Sequence, residues 1–131
     1  MPLRISLKAH ERLIVGGAVV RNGDHRCDLL VENDVPILRG KEVLALDDAN
    51  SPCRRIYFAT QLAYVDPERR EEHARLLRQL LDEVAEAAPS ARALIEEVRQ
   101  LVGEGAFYRA LKTARKLIAL EEELIGHAAH R

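Results

Sequence analysis

The sequence has few features that mark a membrane, secreted or metal-binding protein. No apolar run approaches the roughly 18 residues that a bilayer span needs, and the N-terminus lacks the layout of a secretory signal. The two cysteines, Cys27 and Cys53, are far apart and neither belongs to a CxxC pair, so a disulfide or zinc site has little support. We therefore expect a cytoplasmic protein with ordinary thiols, no metal and no membrane partner.

Motifs typical of enzymes are also missing. The sequence has no P-loop, no GxGxxG and no nucleophile elbow. Among the histidines, only His127 and His130 have a spacing that suits a shared metal ion, and they lie at the C-terminal end of the chain. Acidic runs such as residues 121–123 occupy adjacent helical positions, which is typical of a solvated face. We expect a protein that is not an enzyme and has no cofactor.

Positive charge is too scarce for a broad nucleic-acid-binding surface. The chain of 131 residues has 20 Lys or Arg against 21 Asp or Glu, a formal net charge of −1. Non-specific affinity for nucleic acid comes from neutralising many phosphates at once. If this chain binds RNA, a local patch has to do so. Its length suffices for one core or for two small packed halves.

Residues 1–48 have the pattern of a small, mostly antiparallel β-module. Apolar and polar side chains alternate at the start, as in a strand with one buried face. Gly16-Gly17 and Asn22-Gly23 are hairpin signals, and Asn-Gly favours positive φ at both positions. Pro36 lacks a backbone donor, which favours a strand start or an edge. The predicted strands are residues 1–8, 13–15, 18–20, 29–31 and 37–38.

Residues 49–131 have a helical pattern, so the predicted fold class is α+β. Asn50 or Ser51 before Pro52 is a helix start, because the side chain caps free donors and proline suits the first turn. Short links predict an antiparallel helical hairpin or bundle. The predicted helices are residues 52–65, 66–88, 91–102 and 106–125. The predicted helical core is Leu77, Leu80, Leu81, Leu94, Val98, Leu111 and Ile118.

Short motifs spread over the whole chain form a specific combination. They include Met1-Pro2-Leu3-Arg4, Arg21-Asn22-Gly23, and Ser51-Pro52 followed by Arg54-Arg55-Ile56-Tyr57-Phe58. In these motifs, in length and in β-then-α order, the chain resembles the FlbT family of bacterial flagellar regulators. The resemblance implies post-transcriptional control: proteins of this family act on flagellin messenger RNA near its 5′ untranslated region. They repress translation and promote decay, with activating roles in some relatives.

The N-terminal third carries a second likeness, through Glu11, Leu13-Ile14-Val15-Gly16, and Arg39 followed by Glu42-Val43. These residues resemble the strands of the CsrA family, small dimeric proteins that bind RNA leaders. There the first strand of one subunit and the last strand of the other form the RNA surface, which implies a homodimer. The RNA-binding residues implied for this chain are Ile5, Ser6, Lys8, Ile37, Leu38 and Arg39, with Arg4 on the open face of the same first strand.

Arg39 is the strongest single candidate for an RNA contact. A guanidinium can hold a phosphate or a guanine edge with two parallel hydrogen bonds, and it can stack on a base. The alternative is a surface ion pair with Asp34 or Glu42. For Lys8 and Arg4 the alternative is that charge on an edge strand prevents edge-to-edge pairing.

The helical half offers two candidate partner-binding clusters. The first has aromatic and basic side chains that suit either stacking on RNA bases or the packing of two halves of the protein: Arg54, Arg55, Tyr57 and Tyr64. The second lies along the last helix at spacings of three and four residues, where the alternative is a solvated face: Arg109, Lys112 and Lys116, with Arg115 beside them.

Two hypotheses remain open at this point. In the first, the β-module binds the flagellin mRNA leader, and the helices supply dimer contacts or recruit a partner. In the second, the protein is an adaptor whose helical half holds a flagellar protein, such as flagellin or its regulator.

Overall fold

The chain consists of two compact units, Met1–Val43 and Leu44–Arg131. The structure, a computed structural model, describes the backbone of residues 2–129 and the side chains of residues 2–126. Strands lie in the first unit and helices longer than one turn in the second, which confirms the α+β class. The sequence predicts this boundary after residue 48, a few residues C-terminal to the division between Val43 and Leu44.

The N-terminal unit contains five short strands, which pair antiparallel in two small sheets. They are β1 (Leu3–Leu7), β2 (Arg12–Val15), β3 (Ala18–Arg21), β4 (Cys27–Val31) and β5 (Ile37–Arg39). β1 pairs with β4, while β2 lies between β3 and β5. The predicted Gly16-Gly17 turn connects β2 to β3, and Gly16 has φ +58°.

The core of this unit is small, and strands of both sheets contribute to it. Its centre is Ile5 and Leu7 from β1 with Leu13 from β2, all of them buried. Alternation along β1 also predicts that Leu3 faces inward, but Leu3 is 53% exposed because it lies at the end of the strand. Half-buried apolar side chains surround the centre: Val15, Cys27, Leu29, Val31 and Ile37.

Asn22 organises the loops of this unit through its side chain. Neither Asn22 nor Gly23 has the positive φ predicted for an Asn-Gly turn. Instead, Asn22 Nδ2 donates to the carbonyl oxygens of Lys8 and His25 at 2.8 and 2.9 Å. Its Oδ1 accepts from the Gly23 N–H and from the Cys27 thiol. One amide therefore joins the loop after β1 to the loop before β4.

The C-terminal unit is a bundle of the four predicted helices. They are α1 (Pro52–Val65), α2 (Arg70–Ala87), α3 (Arg92–Gly103) and α4 (Phe107–Ala129). α1 packs against α2 and α4, and α3 packs against the same two helices. Single 3₁₀ turns at residues 46–48, 67–69 and 89–91 flank or connect the helices, and another at residues 40–42 follows β5.

The helical core differs in part from the predicted stripe. Leu77, Leu81, Val98 and Leu111 are buried as predicted, but Leu80, Leu94 and Ile118 are only half-buried. On α4 the buried face is centred on small residues, Ala110 and Ala114, which let a neighbouring helix approach closely. Fully buried side chains that the prediction omitted are Ile56, Ile95 and Leu117.

We predict that Leu111→Ala lowers the free energy of unfolding by about 2 to 5 kcal/mol, because it leaves a cavity in the bundle. The same truncation at Leu76, which is 47% exposed, removes little buried area and should cost about 0.5 kcal/mol or less. Urea unfolding followed by circular dichroism measures both. Equal midpoints for the two variants would contradict the assigned core.

Candidate functional site

Arg4 and Ser6 share one carboxylate on the outer face of the β1–β4 ladder. Arg4 Nη2 lies 2.6 Å from Asp28 Oδ2, and Ser6 Oγ donates to Asp28 Oδ1 at 2.7 Å. The hydrogen bond from Arg4, followed by that from Ser6, holds the pKa of Asp28 below its usual value. Two of the predicted RNA-binding side chains are thus engaged within the unit. Because this cluster is exposed, solvent and salt screen its contribution to stability.

Arg39 joins β5 to β1. Its Nη2 donates to the carbonyl oxygen of Ser6, and its Nε lies 3.7 Å from Glu11 Oε2. Its backbone N–H donates to Glu42 Oε1 at 3.1 Å. Of the two predicted alternatives, Glu42 binds the Arg39 backbone N–H, and Arg39 Nε forms an ion pair with Glu11, which the sequence pattern did not indicate. Arg39 therefore has a structural role in this arrangement.

Glu11 binds the turn after β1 and faces the backbone after β5. Its Oε1 accepts from the Lys8 N–H at 2.9 Å. Its Oε2 lies 2.7 Å from the point where a Cβ on residue 40 would be, and Gly40 has φ +52°. A side chain here would need a strained backbone and a displaced carboxylate, so glycine is favoured at this position.

The remaining predicted RNA-binding residues differ in their exposure. Ile5 and Leu38 are 3% and 0% exposed, so any RNA contact there has to come from backbone atoms. Ile37 is half-buried beside the same core. The Lys8 ammonium is exposed and has no ion pair among the residues that the structure describes.

A cross-strand pair of arginines was missed by the sequence reasoning. In the β2–β3 hairpin Arg12 lies directly opposite Arg21, and both are exposed. Neither forms an ion pair or a side-chain hydrogen bond within the described part of the chain. Like charges opposite each other on paired strands are unfavourable unless an anion relieves them. The signal was available in the sequence, because a two-residue turn at Gly16-Gly17 fixes this register.

In the helical unit, the carboxylate of Glu121 on α4 binds the N-terminal end of α1. It accepts from Ser51 Oγ and, at 3.0 Å, from the Cys53 N–H. Ser51 is the predicted cap and accepts from the Arg54 N–H, with Pro52 in the first turn. Burial, and then the charge of Glu121, raises the pKa of the Cys53 thiol to about 12. The thiol stays protonated at neutral pH and is no nucleophile.

The predicted cluster of two arginines and two tyrosines is not one site. Arg54 pairs with Glu122 on α4 at 2.5 Å. Tyr57 is 3% exposed, and its hydroxyl accepts from Arg115 at 3.2 Å. Tyr64 lies near the other end of α1, where it contacts a different tyrosine. Arg54 near the start of α1 and Tyr64 near its end lie about 15 Å apart along the helix axis, at 1.5 Å per residue, and contact different parts of α4.

Tyr64 forms instead part of an aromatic and basic surface with α4. The Tyr64 and Tyr108 ring centroids are 5.6 Å apart, with their planes at 45°. Lys112 Nζ lies 5.2 Å from the Tyr108 ring centroid, as in a cation–π contact. Arg109 and Lys116 are exposed next to Lys112 on the same helix, so the predicted basic cluster of α4 is present at the surface.

An apolar groove of about 480 Å³ lies between the start of α1, the end of α2 and the second half of α4. Leu80 and Val84 line it from α2, and Leu120 lines it from α4. At its edge Leu124 and Ile125 are 45% and 60% exposed. Charged side chains at the rim are Arg55, Glu83 and Glu121. A groove of this shape suits an apolar face of a partner helix.

The described part of the chain contains neither a cluster of metal ligands nor a membrane-spanning helix. No group of three or more His, Cys, Asp or Glu side chains there could hold a metal ion. In the same part of the chain no helix is long and apolar enough to cross a membrane. His127 and His130, whose spacing suits a shared metal ion, lie outside the side chains that the structure describes.

Comparison with known proteins identifies the family. Residues 3–125 match the family described as flagellar protein FlbT, so the chain belongs to the FlbT family, as the sequence motifs predict. A relative from Bradyrhizobium diazoefficiens, named a probable flagellum biosynthesis repressor protein FlbT, is 42% identical over 127 residues, which cover 96% of this chain and 86% of the relative. A relative of the same name from Rhodopseudomonas palustris is 39% identical over 126 residues, covering 96% and 99%.

A third relative carries the name without the qualifier. The flagellum biosynthesis repressor protein FlbT of Caulobacter vibrioides is 34% identical over 133 aligned positions, covering 98% of this chain and 93% of the relative. No solved structure matches the chain. The chain is therefore a member of a family of flagellar regulators, and these comparisons do not show the CsrA likeness.

We predict that Arg39→Ala lowers the free energy of unfolding by about 1 kcal/mol, the worth of one hydrogen bond, because it removes the contact between β5 and β1. Arg26→Ala is the matched control, since Arg26 is exposed and makes no side-chain hydrogen bond in the described structure. Chemical denaturation of both variants measures their free energies of unfolding. Arg39→Ala unfolding at the same denaturant concentration as Arg26→Ala would show that the contact contributes nothing.

Proposed function

We propose that this chain is a post-transcriptional regulator of flagellin biosynthesis, which binds flagellin mRNA near its 5′ untranslated region and represses translation or promotes decay. Membership of the FlbT family supports the flagellar role, and its relatives are named as repressors. Such a regulator acts in the cytoplasm and needs no catalytic group or cofactor. Its partner is the flagellin mRNA leader.

The observation that carries RNA binding is the cross-strand pair Arg12 and Arg21. Two exposed guanidinium groups on opposed strands repel each other, and an anion between them would turn this repulsion into two attractions. A phosphate fits because each guanidinium offers a fork of donors. Lys8 adds an exposed ammonium in the same unit. This pair supplies the local patch that a chain of net charge −1 needs.

The other RNA-binding residues of the proposal have more limited roles. Arg4, Ser6 and Arg39 already bind groups of their own unit, so RNA contacts there would exchange one partner for another. Ile5, Ile37 and Leu38 would contribute only backbone atoms or shape. We therefore assign the main electrostatic contribution of this unit to Arg12, Arg21 and Lys8.

We predict that the double variant Arg12→Gln/Arg21→Gln binds the flagellin leader more weakly while unfolding at the same or a higher denaturant concentration. The loss of two phosphate contacts should flatten the dependence of log affinity on log salt by about 1.4, at roughly 0.7 per contact with single-stranded RNA. The measurement is fluorescence anisotropy with a labelled leader over a salt series, together with urea unfolding.

The matched control is Arg69→Gln/Arg75→Gln, which removes the same charge from exposed positions of the helical unit. It should keep the affinity and the salt slope of the parent. If the parent protein does not bind the leader, direct RNA binding is wrong. If it binds and the hairpin variant binds equally well, RNA contacts lie elsewhere.

We also propose a homodimer, because the β-unit leaves unusual apolar surface exposed. Val19 is 70% exposed and Leu30 is 65% exposed in a unit whose core is small. β3 pairs on one side only, so its other edge is available to a second copy. The CsrA likeness also implies a dimer.

We predict that Val19→Lys shifts the protein from dimer to monomer, because an ammonium group would be desolvated in an apolar interface. Light scattering at micromolar concentration measures the mass, with Val19→Thr as a control of similar shape. A parent protein that is already strictly monomeric would exclude the dimer.

The groove favours a second candidate function. In this alternative the protein is an adaptor that holds a helix of a flagellar protein, such as flagellin or its regulator, against Leu80, Leu124 and Ile125. The exposed Leu124 and Ile125 are the observation in its favour. Leader binding only when flagellin is added, and its loss in Leu124→Asp, would support the adaptor over direct RNA recognition.

A further inference from the structure

Two helix segments of the helical unit that pack together carry basic residues and no acidic ones. Residues 49–65 and 105–120 contain no Asp or Glu, but they contain Arg54, Arg55, Arg109, Lys112, Arg115 and Lys116. α2, by contrast, carries five acidic residues against three arginines. Because α1 packs against α4, the two carboxylate-free segments are neighbours. The near-neutral chain therefore contains one strongly basic region.

Within that region the first half of α4 presents a row of cations to solvent. Arg109, Lys112 and Lys116 are exposed at spacings of three and four residues, so they follow one side of the helix. Arg109 and Lys116 form no ion pair within the described residues. The row extends for about 10 Å at 1.5 Å per residue. It is long enough for several phosphates of one strand and too short for a broad electrostatic surface.

Two aromatic rings border this row. Tyr64 from α1 and Tyr108 from α4 are half-buried, 5.6 Å apart, and Lys112 reaches the Tyr108 ring. Rings beside cations are the combination that binds single-stranded nucleic acid, since bases stack on the rings while phosphates meet the cations. An acidic peptide would use the cations alone and would gain little from the rings.

We propose that this surface, formed by Tyr64, Tyr108, Arg109, Lys112 and Lys116, is a second RNA-binding site that takes a short single-stranded segment. The inference rests on the proposed RNA-binding function and adds a location for it in the helical unit. The phosphates bind Arg109, Lys112 and Lys116, and one base stacks against Tyr108 or Tyr64. The site does not depend on base identity, because every base has a ring face.

The first test separates the charge contribution from the fold. Lys112→Gln/Lys116→Gln should bind a short labelled single-stranded RNA from the flagellin leader more weakly, with the salt slope reduced by about 1.4, at roughly 0.7 per phosphate contact. Arg69→Gln/Arg75→Gln is again the matched control and should behave as the parent. Urea unfolding confirms that each variant is folded. An unchanged affinity and slope in the lysine variant would overturn the proposal.

The second test separates stacking from charge. Tyr108→Leu should lower the affinity roughly 5- to 100-fold, as for the loss of one stacked base, and leave the salt slope unchanged. Tyr108→Phe keeps the ring and should retain binding. If Tyr108→Leu is unstable, Tyr64→Leu against Tyr64→Phe gives the same comparison. Equal binding by the leucine and phenylalanine variants would exclude stacking.

The third test identifies the class of ligand. Polyglutamate should compete poorly with the RNA for the parent protein, and a hairpin that pairs the same leader segment should also compete poorly. Efficient competition by polyglutamate would make this an acidic-peptide site and would overturn the proposal. A parent protein that binds no RNA would contradict the proposed function itself. Weaker RNA binding by Arg12→Gln/Arg21→Gln, with unchanged binding by Lys112→Gln/Lys116→Gln, would contradict only the second site.

Discussion

The carboxylate of Glu121 joins the last helix of the chain to the first helix of the bundle. It accepts hydrogen bonds from Ser51 and Cys53, where α1 has backbone donors with no partner inside the helix, and an anion is favourable at that end. This contact fixes the alignment of α1 with α4. Along α4, the row of cations comes before Glu121 and the apolar edge of the groove comes after it. A basic surface and an apolar surface therefore lie on either side of Glu121 along α4.

Segregation of charge is what would let a chain with net charge −1 bind the polyanion that we propose as its partner. In the β-unit, the register of one hairpin places Arg12 opposite Arg21. In the helical unit, α1 and the first half of α4 exclude carboxylates while α2 collects them. Each patch is small, so in the proposed function it would neutralise few phosphates and give only a shallow dependence of affinity on salt.

Local signals in the sequence predicted most of the fold. Gly16-Gly17, Ser51-Pro52 and the apolar spacing of α2 act over a few residues, and each produced the predicted turn, cap or helix. The contacts that define the sites join residues far apart in sequence. Arg39 meets Ser6, and Glu121 meets Ser51, through packing that no short pattern specifies.

The order of strand pairing has a consequence for the time course of folding. Only β2 and β3 are paired neighbours in sequence; β1 pairs with β4, and β2 also pairs with β5. Helices close bonds between residues four apart, whereas pairing across intervening strands is slower. The unit that leaves the ribosome first therefore completes its pairing only after its last strand has emerged. Until β4 has emerged, β1 lacks its partner strand, and nascent chains on one polysome are exposed to each other through this unpaired strand.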